Sequence, residues 1–349
     1  MVQRANTPLP GTEEPVCSIC IANYNGVGVI EDCLNSVFAQ DCDFPFEVIV
    51  HDDASSDGSA DIVRDHYPNV TLIASNENVG FCVSNNRMAA AARGKYILLL
   101  NNDAALFPDA LRTLCAYAEA HPAAGILGLP QYNAATGSLI DIGSLSDLFL
   151  NPVPNLDAER RDVAMVSGAC LWIPIALWEE LGGFPEWFHT LAEDAYLCFC
   201  ARLKGYSVRA LGSSGFRHWV GKSLGGGIVT AQNRLTTSRK RRALSERNKN
   251  FVIVLTYPIP LFQFVFPLHL TLLFFEGLLL SLLKWDARLL QSIYLACFYA
   301  LWQERHRLAK SRREIQGSRR IQLGAWLSVF CFWPRKLTML LRHGLPEIR

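Results

Sequence analysis

Three short polar stretches hold the residues best suited to chemistry. Asn101-Asn102-Asp103 ends an apolar run from Tyr96 to Leu100, and Asp52-Asp53 ends another that begins at Phe46. Glu193-Asp194 opens a segment of helical character reaching Lys204. Asp103 offers the hard oxygen that a divalent cation takes. Asp52 and Asp53 stand before Ser55, Ser56, Asp57 and Ser59, and carboxylates so placed accept hydrogen bonds from ribose hydroxyls or a base N–H. Glu193 and Asp194 make a pair in which one group deprotonates a hydroxyl and the other positions it. Each stretch also has a plainer use. Residues 101–103 make a polar turn, Ser56 or Asp57 can N-cap a helix through Tyr67, and carboxylates at a helix start are favoured by its dipole. His218 alone reads as a hydrogen-bonded structural histidine more readily than as a ligand.

The elements that must position these residues follow from the apolar pattern. Val16 to Ala22, Phe46 to Val50, Val70 to Ala74 and Tyr96 to Leu100 are short apolar runs bounded by turn residues, as in strands buried on both faces. Val29, Ile30, Cys33, Leu34, Val37 and Phe38 recur with helical spacing. After the loop Asn76 to Phe81, the polar Ser84-Asn85-Asn86 opens onto a helix over Arg87 to Ala92. The alternation predicts βαβ units and a mostly parallel sheet, with ligands outside the carboxyl ends of the strands. Beyond it we expect a helix over Leu106–Ala120, a strand over Gly125–Leu129, and short strands with a covering loop across 131–162. A strand over Val163–Ile173 interrupted at Ser167-Gly168, a helix over Ile175–Leu181 and a strand over Val208–Leu211 complete the pattern.

Several motifs fail on inspection. Gly26-Val27-Gly28 opens like a dinucleotide fingerprint, but Glu31 stands where Gly or Ala would let helix and strand pack closely. Gly221-Lys222-Ser223 ends like a P-loop whose leading glycine would be Phe216. Cys17-Ser18-Ile19-Cys20 has zinc-knuckle spacing without a second pair. The 11 cysteines are scattered, which suits reduced thiols in a cytosolic chain, and Met1 to Pro15 lacks the apolar stretch of a signal peptide. Residues 1–229 carry 13 Lys/Arg against 26 Asp/Glu, and residues 230–349 carry 20 against 6. A disordered arm (1–15), an acidic α/β domain (16–229) and a basic, apolar region (230–349) are expected.

Taken together, Ile19 to Asn25, Asp52 to Ser59, Asn78-Val79-Gly80-Phe81 with Asn85-Asn86, and Leu100 to Asp103 resemble the family 2 inverting glycosyltransferases of the GT-A fold. Ser167-Gly168-Ala169, Gly182-Gly183-Phe184, Glu193-Asp194, Gly205-Tyr206 and His218 continue the likeness in order, over roughly residues 16–225. It looks most like the rhamnosyltransferase-like branch of bacterial cell-surface polysaccharide synthesis. The resemblance implies a Rossmann-like, mostly parallel sheet flanked by helices. It implies that Asn23, Asn25, Asp52, Asp53, Gly80, Asn85 and Asn102 bind a nucleotide-sugar donor. Asp103 would hold Mg²⁺ or Mn²⁺ on the donor diphosphate, with Asn101 where many relatives carry another Asp. His218 would complete that metal site from a mobile loop flanked by Gly221 and Gly225 to Gly227. Asp194 would be the catalytic base, with Glu193 beside it. Met88, Pro174, Pro185 and Tyr196 depart from the family's usual residues, which bears on donor and acceptor identity. The resemblance favours dTDP-rhamnose as donor.

In the C-terminal region, Arg239 to Lys249 is a basic cluster, and Phe251 to Leu283 has Glu276 as its one formally charged residue. As a single helix that run would rise ~50 Å, beyond a hydrocarbon core of ~30 Å. Positive charge on both flanks argues against one crossing. A re-entrant hairpin broken at Pro258, Pro260 and Pro267, or helices lying in the interface, is expected, with Leu289–Trp302 and Leu323–Trp333 as interfacial pieces. An ordinary buried helical subdomain is the alternative. Nucleic acid is not expected as a partner, because the aromatics lie in apolar runs and not among the basic residues. The chain therefore reads as an inverting, metal-dependent glycosyltransferase at the cytoplasmic face of the inner membrane, acting on a lipid-linked glycan. A catalytically silent GT-A module serving as a membrane-anchored scaffold is the alternative from another class.

Overall fold

The apolar runs become strands of one seven-stranded sheet in the structure, a computed structural model that describes residues 14–219, 226–229 and 234–349. The N-terminal arm up to residue 13, and Gly221 and Gly225 of the loop expected after His218, lie outside the described residues. The alternation runs β1 (Cys17–Asn23), α1 (Ile30–Phe38), β2 (Phe46–Asp52), α2 (Ser59–His66), β3 (Val70–Ala74), α3 (Phe81–Ala91) and β4 (Tyr96–Asn101). Then come β5 (Ala104–Leu106), α4 (Ala110–Ala120), β6 (Ala124–Gly128), β7 (Gln131–Asn133), β8 (Leu139–Asp141), β9 (Ser144–Asp147) and β10 (Pro152–Pro154). β11 (Cys170–Pro174), α5 (Ile175–Leu181), α6 (Glu193–Leu203), β12 (Ser207–Ala210) and β13 (Phe216–His218) follow.

The sheet order is β12-β6-β11-β4-β1-β2-β3. β4, β1, β2 and β3 are mutually parallel, β12 is parallel to β6, and β11 runs antiparallel to both its neighbours. The chain steps from β1 to β2 on one side, while β4 lies on the other. That arrangement opens a crevice at the carboxyl ends of β1, β2 and β4, the usual ligand position in α/β sheets. Ile19, Ile21, Leu98 and Leu100 are buried in one cluster with Ile30, Cys33, Leu34 and Val37 of α1. On the same sheet Tyr96 stacks on Trp172 with ring centroids 4.9 Å apart. Cys17 belongs to this cluster and Cys20 is fully buried as well, and burial pushes both thiols well up. They are apolar filling, as small buried thiols usually are.

Local departures from expectation have local causes. α2 is capped by Gly58 at φ +85, not by Ser56 or Asp57. Asp57 instead accepts from the Ser59 N–H and hydroxyl and from the Val27 N–H. α3 begins at Phe81, directly after Gly80, so Ser84, Asn85 and Asn86 lie inside the helix. α4 begins only at Ala110, because residues 104–106 pair with β13. Val163 to Val166 does not run on into β11, since the chain turns at Gly168-Ala169.

The chain divides into two compact units. One takes residues up to Ser144, Pro154–Ala201 and Tyr206–Trp219, and the other takes Leu145–Val153, Arg202–Gly205 and Val220–Arg349. The second unit contains β14 (Gly226–Val229), β15 (Leu235–Thr237), α7 (Arg239–Thr256) and α8 (Leu261–Leu283). It continues with α9 (Ala287–Leu289), a π-helical stretch Leu290–Leu295, α10 (Ala296–Gln303), α11 (Arg305–Gly317), α12 (Leu323–Leu327), β16 (Phe330–Cys331), α13 (Arg335–His343) and β17 (Glu347–Ile348). Among the described residues α8 is the one helix long and apolar enough to cross a membrane. The apolar run from Phe251 is split between α7 and α8 with Pro258 and Pro260 in the break, whereas Pro267, expected to break it as well, lies inside α8. Leu323–Trp333 is not one helix, because Phe330-Cys331 pairs with Ser146-Asp147. The basic cluster is partly buried in ion pairs. Lys249 is buried against Glu246 at 2.9 Å, and Arg242 is paired with Glu276.

Candidate active site

β4 ends at Asn101, a two-residue turn carries Asn102 and Asp103, and β5 resumes at Ala104. β13 pairs antiparallel with β5 and sets His218 opposite Ala104, so His218 arrives beside Asp103. Its Nε2 is 3.0 Å from Asp103 Oδ1, with the two side chains 13% and 11% exposed. The Trp219 N–H donates to the Asp103 carbonyl and fixes that neighbour as well. On the other side of β13, β7 supplies Gln131, whose side-chain nitrogen is 2.9 Å from His218 Nδ1. A carboxamide can donate to a bare Nδ1 or, turned over, accept from Nδ1–H, so Gln131 can hold the ring in either tautomer. Orienting partners of this kind tune histidine ligands.

The residues fit a divalent cation. Asn101 Oδ1 is buried without a protein donor, an oxygen available to a group from outside the chain. A carboxylate and an imidazole leave Mg²⁺ or Mn²⁺ room to complete its shell from water and phosphate oxygens. Among the described residues no three His, Cys, Asp or Glu side chains form a ready cage, so the donor's own oxygens would have to supply the rest.

Asp194 is the second residue of α6. Its Oδ2 accepts from the Gly168 N–H at 3.1 Å, and its Oδ1 from the Ala195 N–H at 2.7 Å. Burial raises the Asp194 carboxyl above the ordinary aspartate value, while those two amides pull it back down. The net shift is upward, toward a stronger base. Glu193 opens the same helix and is buried. Both acids lie in the first turn, where the dipole favours the charged form. Asp141, at the end of β8, is a carboxyl the sequence did not single out. Burial raises it, the Ser144 hydroxyl and the Gly143 amide lower it, and the charges of His218 and Asp194 both reach it. Asp141 therefore ties the Asp103–His218 pair and Asp194 into one electrostatic neighbourhood.

The expected donor residues turn out to be heavily bonded to one another. Asn23, buried at the end of β1, donates to Asp52 Oδ1 at 2.8 Å and to Ser59 Oγ at 2.9 Å, and accepts from Asn102 Nδ2 at 2.8 Å. Gly26 lies against that pair: a Cβ there would stand 2.3 Å from Asn23 Oδ1 and 2.4 Å from Asn102 Nδ2. Asp52 Oδ2 takes the Ser55 N–H at 3.0 Å. The two oxygens of Asp53 take the Val79 and Gly80 N–H groups at 2.7 and 2.9 Å. Both carboxylates thus organise their loops first, and only their remaining lone pairs would be open to a ligand. Asn25 is exposed, with Oδ1 accepting from the Ser56 N–H. Asn85 is buried inside α3 and donates to the Phe81 carbonyl, so its amide nitrogen serves its own helix.

A second loop meets this network. His189 packs on Gly80, where a Cβ would be 2.2 Å from His189 Nδ1, and the Cys82 N–H donates to the His189 carbonyl at 3.1 Å. His189, Leu191 and Ala192 all have left-handed backbone, with φ of +66, +72 and +65. Non-glycine residues held there cost about 1–3 kcal/mol each and cluster at functional sites. The segment that delivers Asp194 is therefore strained and bonded to the start of α3.

Comparison with known proteins matches this architecture. Solved structures with the same fold include Staphylococcus aureus TarS residues 1–349 in complex with UDP, with a TM-score of 0.53 and 18% identity, covering 86% of this chain and 90% of that one. Another is the mannosyltransferase PcManGT from Pyrobaculum calidifontis in complex with GDP-Man and Mn²⁺, with a TM-score of 0.52 and 19% identity, covering 87% and 91%. The fold is thus α/β and GT-A-like. Curated relatives include the N-acetylglucosaminyl-diphospho-decaprenol L-rhamnosyltransferase of Mycobacterium tuberculosis, 26% identical over 184 residues, or 44% of this chain and 60% of that protein. The succinoglycan biosynthesis protein ExoO of Rhizobium meliloti is 35% identical over 107 residues, or 30% of each chain. The chain spans 24% to 60% of the length of such relatives. The Glycosyl transferase family 2 profile matches residues 18–170, and that of Glycosyl transferase family group 2 matches residues 96–303. With the second profile covering more than half of its length, the chain belongs to Glycosyl transferase family group 2.

Proposed function

We propose that the chain is an inverting, metal-dependent glycosyltransferase of cell-surface polysaccharide synthesis. It moves a sugar from a nucleotide-sugar donor to a hydroxyl of a lipid-linked or polysaccharide acceptor. The observation that carries this reading is the gathering of the Asp103–His218 pair, Asp141 and Asp194 at the carboxyl edge of the sheet. Asp103 and His218 would hold Mg²⁺ or Mn²⁺. A cation bound there would neutralise the charge that develops on the departing diphosphate. Asp194 takes the proton of the acceptor hydroxyl, and Glu193 beside it orients that hydroxyl. Attack in one step inverts the anomeric carbon, and no residue of the chain becomes covalently attached. The network of Asn23, Asp52, Asp53 and Asn102 shapes the donor's nucleotide pocket, with Asn25 and the Gly80 backbone at its rim. Structures of the same fold with UDP, or with GDP-Man and Mn²⁺, support the donor class and the metal. The decaprenol-linked substrate of the rhamnosyltransferase relative supports rhamnose and a lipid-linked acceptor. Residues 230–349 would bring the enzyme to the cytoplasmic face of the membrane, where such acceptors lie.

The test is transfer and donor hydrolysis across a panel of nucleotide sugars with Mg²⁺ or Mn²⁺ and a polyprenyl-diphosphate sugar acceptor. One donor should turn over, with loss in both Asp194→Asn and Asp103→Ala. Transfer unchanged by Asp194→Asn would remove the base assignment, and absence of both turnover and nucleotide binding would favour the scaffold.

A further inference from the structure

The C-terminal unit carries an ionic cluster that the proposed reaction does not use. Glu276 lies on α8, about two turns before its end. It is paired with Arg242 of α7 and, at 2.7 Å, with Lys336 of α13. Lys336 also reaches Glu246 at 2.8 Å, which in turn holds Lys249 at 2.9 Å. Tyr294 of the π-helical stretch donates to Glu276 and accepts from Arg242. Three cations and two anions thus bolt α8 sideways to α7 and α13.

The other side of α8 is bare. Phe264, Leu268, Leu272, Phe275, Leu279 and Leu283 are exposed, and their spacing puts them on one face along nearly the whole helix, ~34 Å long by its rise. Next to this stripe an open apolar cleft of about 390 Å³ is lined by Leu270, Thr271, Phe274, Leu295 and Phe298. Trp285, at the end of α8, is 96% exposed, and Trp302 and Trp333 are exposed too. Aromatic residues at such margins belong at a membrane–water boundary. Lys284, Arg288, Arg305, Arg307 and Lys310 are all exposed around them, a charge suited to anionic headgroups.

We infer that α8 lies along one leaflet of an anionic membrane with its apolar stripe in the acyl region, and does not cross the bilayer. This deepens the membrane partner proposed above by fixing its mode. A crossing would draw Glu276 into the hydrocarbon together with Arg242 and Lys336, and with them the polar helices α7 and α13. Charges in that position are among the costliest arrangements in a membrane. Lying in plane keeps the cluster on the protein side and gives lipid only the apolar stripe, as an interfacial helix does.

The experiment uses the full chain with Cys42 and Cys331 changed to Ser, and Gln263→Cys or Lys284→Cys placed at the two exposed ends of α8. Sealed membrane vesicles from producing cells are treated with an impermeant maleimide. Both positions should label in inside-out vesicles and neither in right-side-out ones. Labelling of one end in each orientation would mean that α8 crosses, and would overturn the inference. With purified protein, vesicles of phosphatidylglycerol and phosphatidylcholine should bind at least tenfold better than phosphatidylcholine alone, and Leu272→Glu with Leu279→Glu should abolish that binding. No binding, with concentration-dependent dimers in solution, would assign the stripe to a second copy and also overturn it. Neither readout depends on sugar transfer, so failure of the proposed reaction would leave this result standing, and the reverse.

Discussion

His218 Nε2 lies 3.0 Å from Asp103 Oδ1, although 115 residues separate the two in sequence. The pairing of β13 with β5 produces that contact, and β7, on the far side of β13, adds Gln131 behind the imidazole. Three short strands therefore build the proposed cation site, each of which would be unremarkable alone.

Gln131→Leu should keep the fold and weaken the site. Loss of an orienting partner behind a metal-ligating histidine typically costs about 10–100-fold in affinity or activity. A titration of transfer rate against Mn²⁺ should shift to higher concentration by that factor. A curve that overlays the parent would show Gln131 to be only a packing residue.

Asp194→Asn should lower transfer by roughly 10²–10⁴-fold, the usual contribution of a general base. Its effect on stability near neutral pH should be small. Burial holds the folded-state carboxyl above its ordinary value. Its protonated form is therefore favoured by folding, and that contribution is lost as pH rises through the raised folded value. Asparagine carries no charge to desolvate. Thermal melting at neutral pH should give a Tm close to the parent's, because relief of the buried charge is offset by the one amide, of Gly168 or Ala195, that the single asparagine oxygen no longer accepts from. A large drop would mean that the two amide bonds outweigh the desolvation.

The same shift fixes the sign of the pH–rate profile. A base must be deprotonated to act, so transfer should fall as pH drops, through an acid limb centred above the ordinary aspartate value of 3.8. The Asp194 charge reaches Asp141 and raises its carboxyl, and because charge repulsion is reciprocal, removing the Asp141 charge should move that limb to lower pH. A limb that does not move in Asp141→Asn would uncouple the two carboxyls.

Gly26→Ala should destabilise the domain. The new methyl would meet Asn23 Oδ1 and Asn102 Nδ2 well inside contact distance, and overpacking of that kind costs about 1–3 kcal/mol. Urea denaturation would measure it. A neutral result would show that the turn can open without breaking the Asn23–Asn102 bond.

Much of this fold was legible because its strands are short apolar runs with polar ends. The bounds of Val70–Ala74 and Ile175–Leu181 match the pattern reading residue for residue. Asp103, Glu193 and Asp194 stood out by type and by their place at strand and helix ends, although turns and helix caps use the same residues, and His218 alone read more readily as structural. Gln131 and Asp141 were not, because they lie on three-residue strands whose partners are remote, and no periodicity reports such pairing. The start of α3 was missed because Gly80 at φ +91, not a polar side chain, sets it. Arg242 and Lys249 read only as members of a basic cluster, because Arg242's partner Glu276 sits far away inside an apolar helix.

The bond from the Cys82 N–H to the His189 carbonyl, with His189 packed on Gly80, joins the two loops that would face donor and acceptor. Such a seam limits modularity. A recombinant enzyme that borrows its donor-side loop from one parent and its acceptor-side loop from another must carry the matching halves of this contact. Under the proposed reaction specificity would be inherited as a pair of loops, and grafting one without the other would leave the left-handed turn before Asp194 without the partner that holds it.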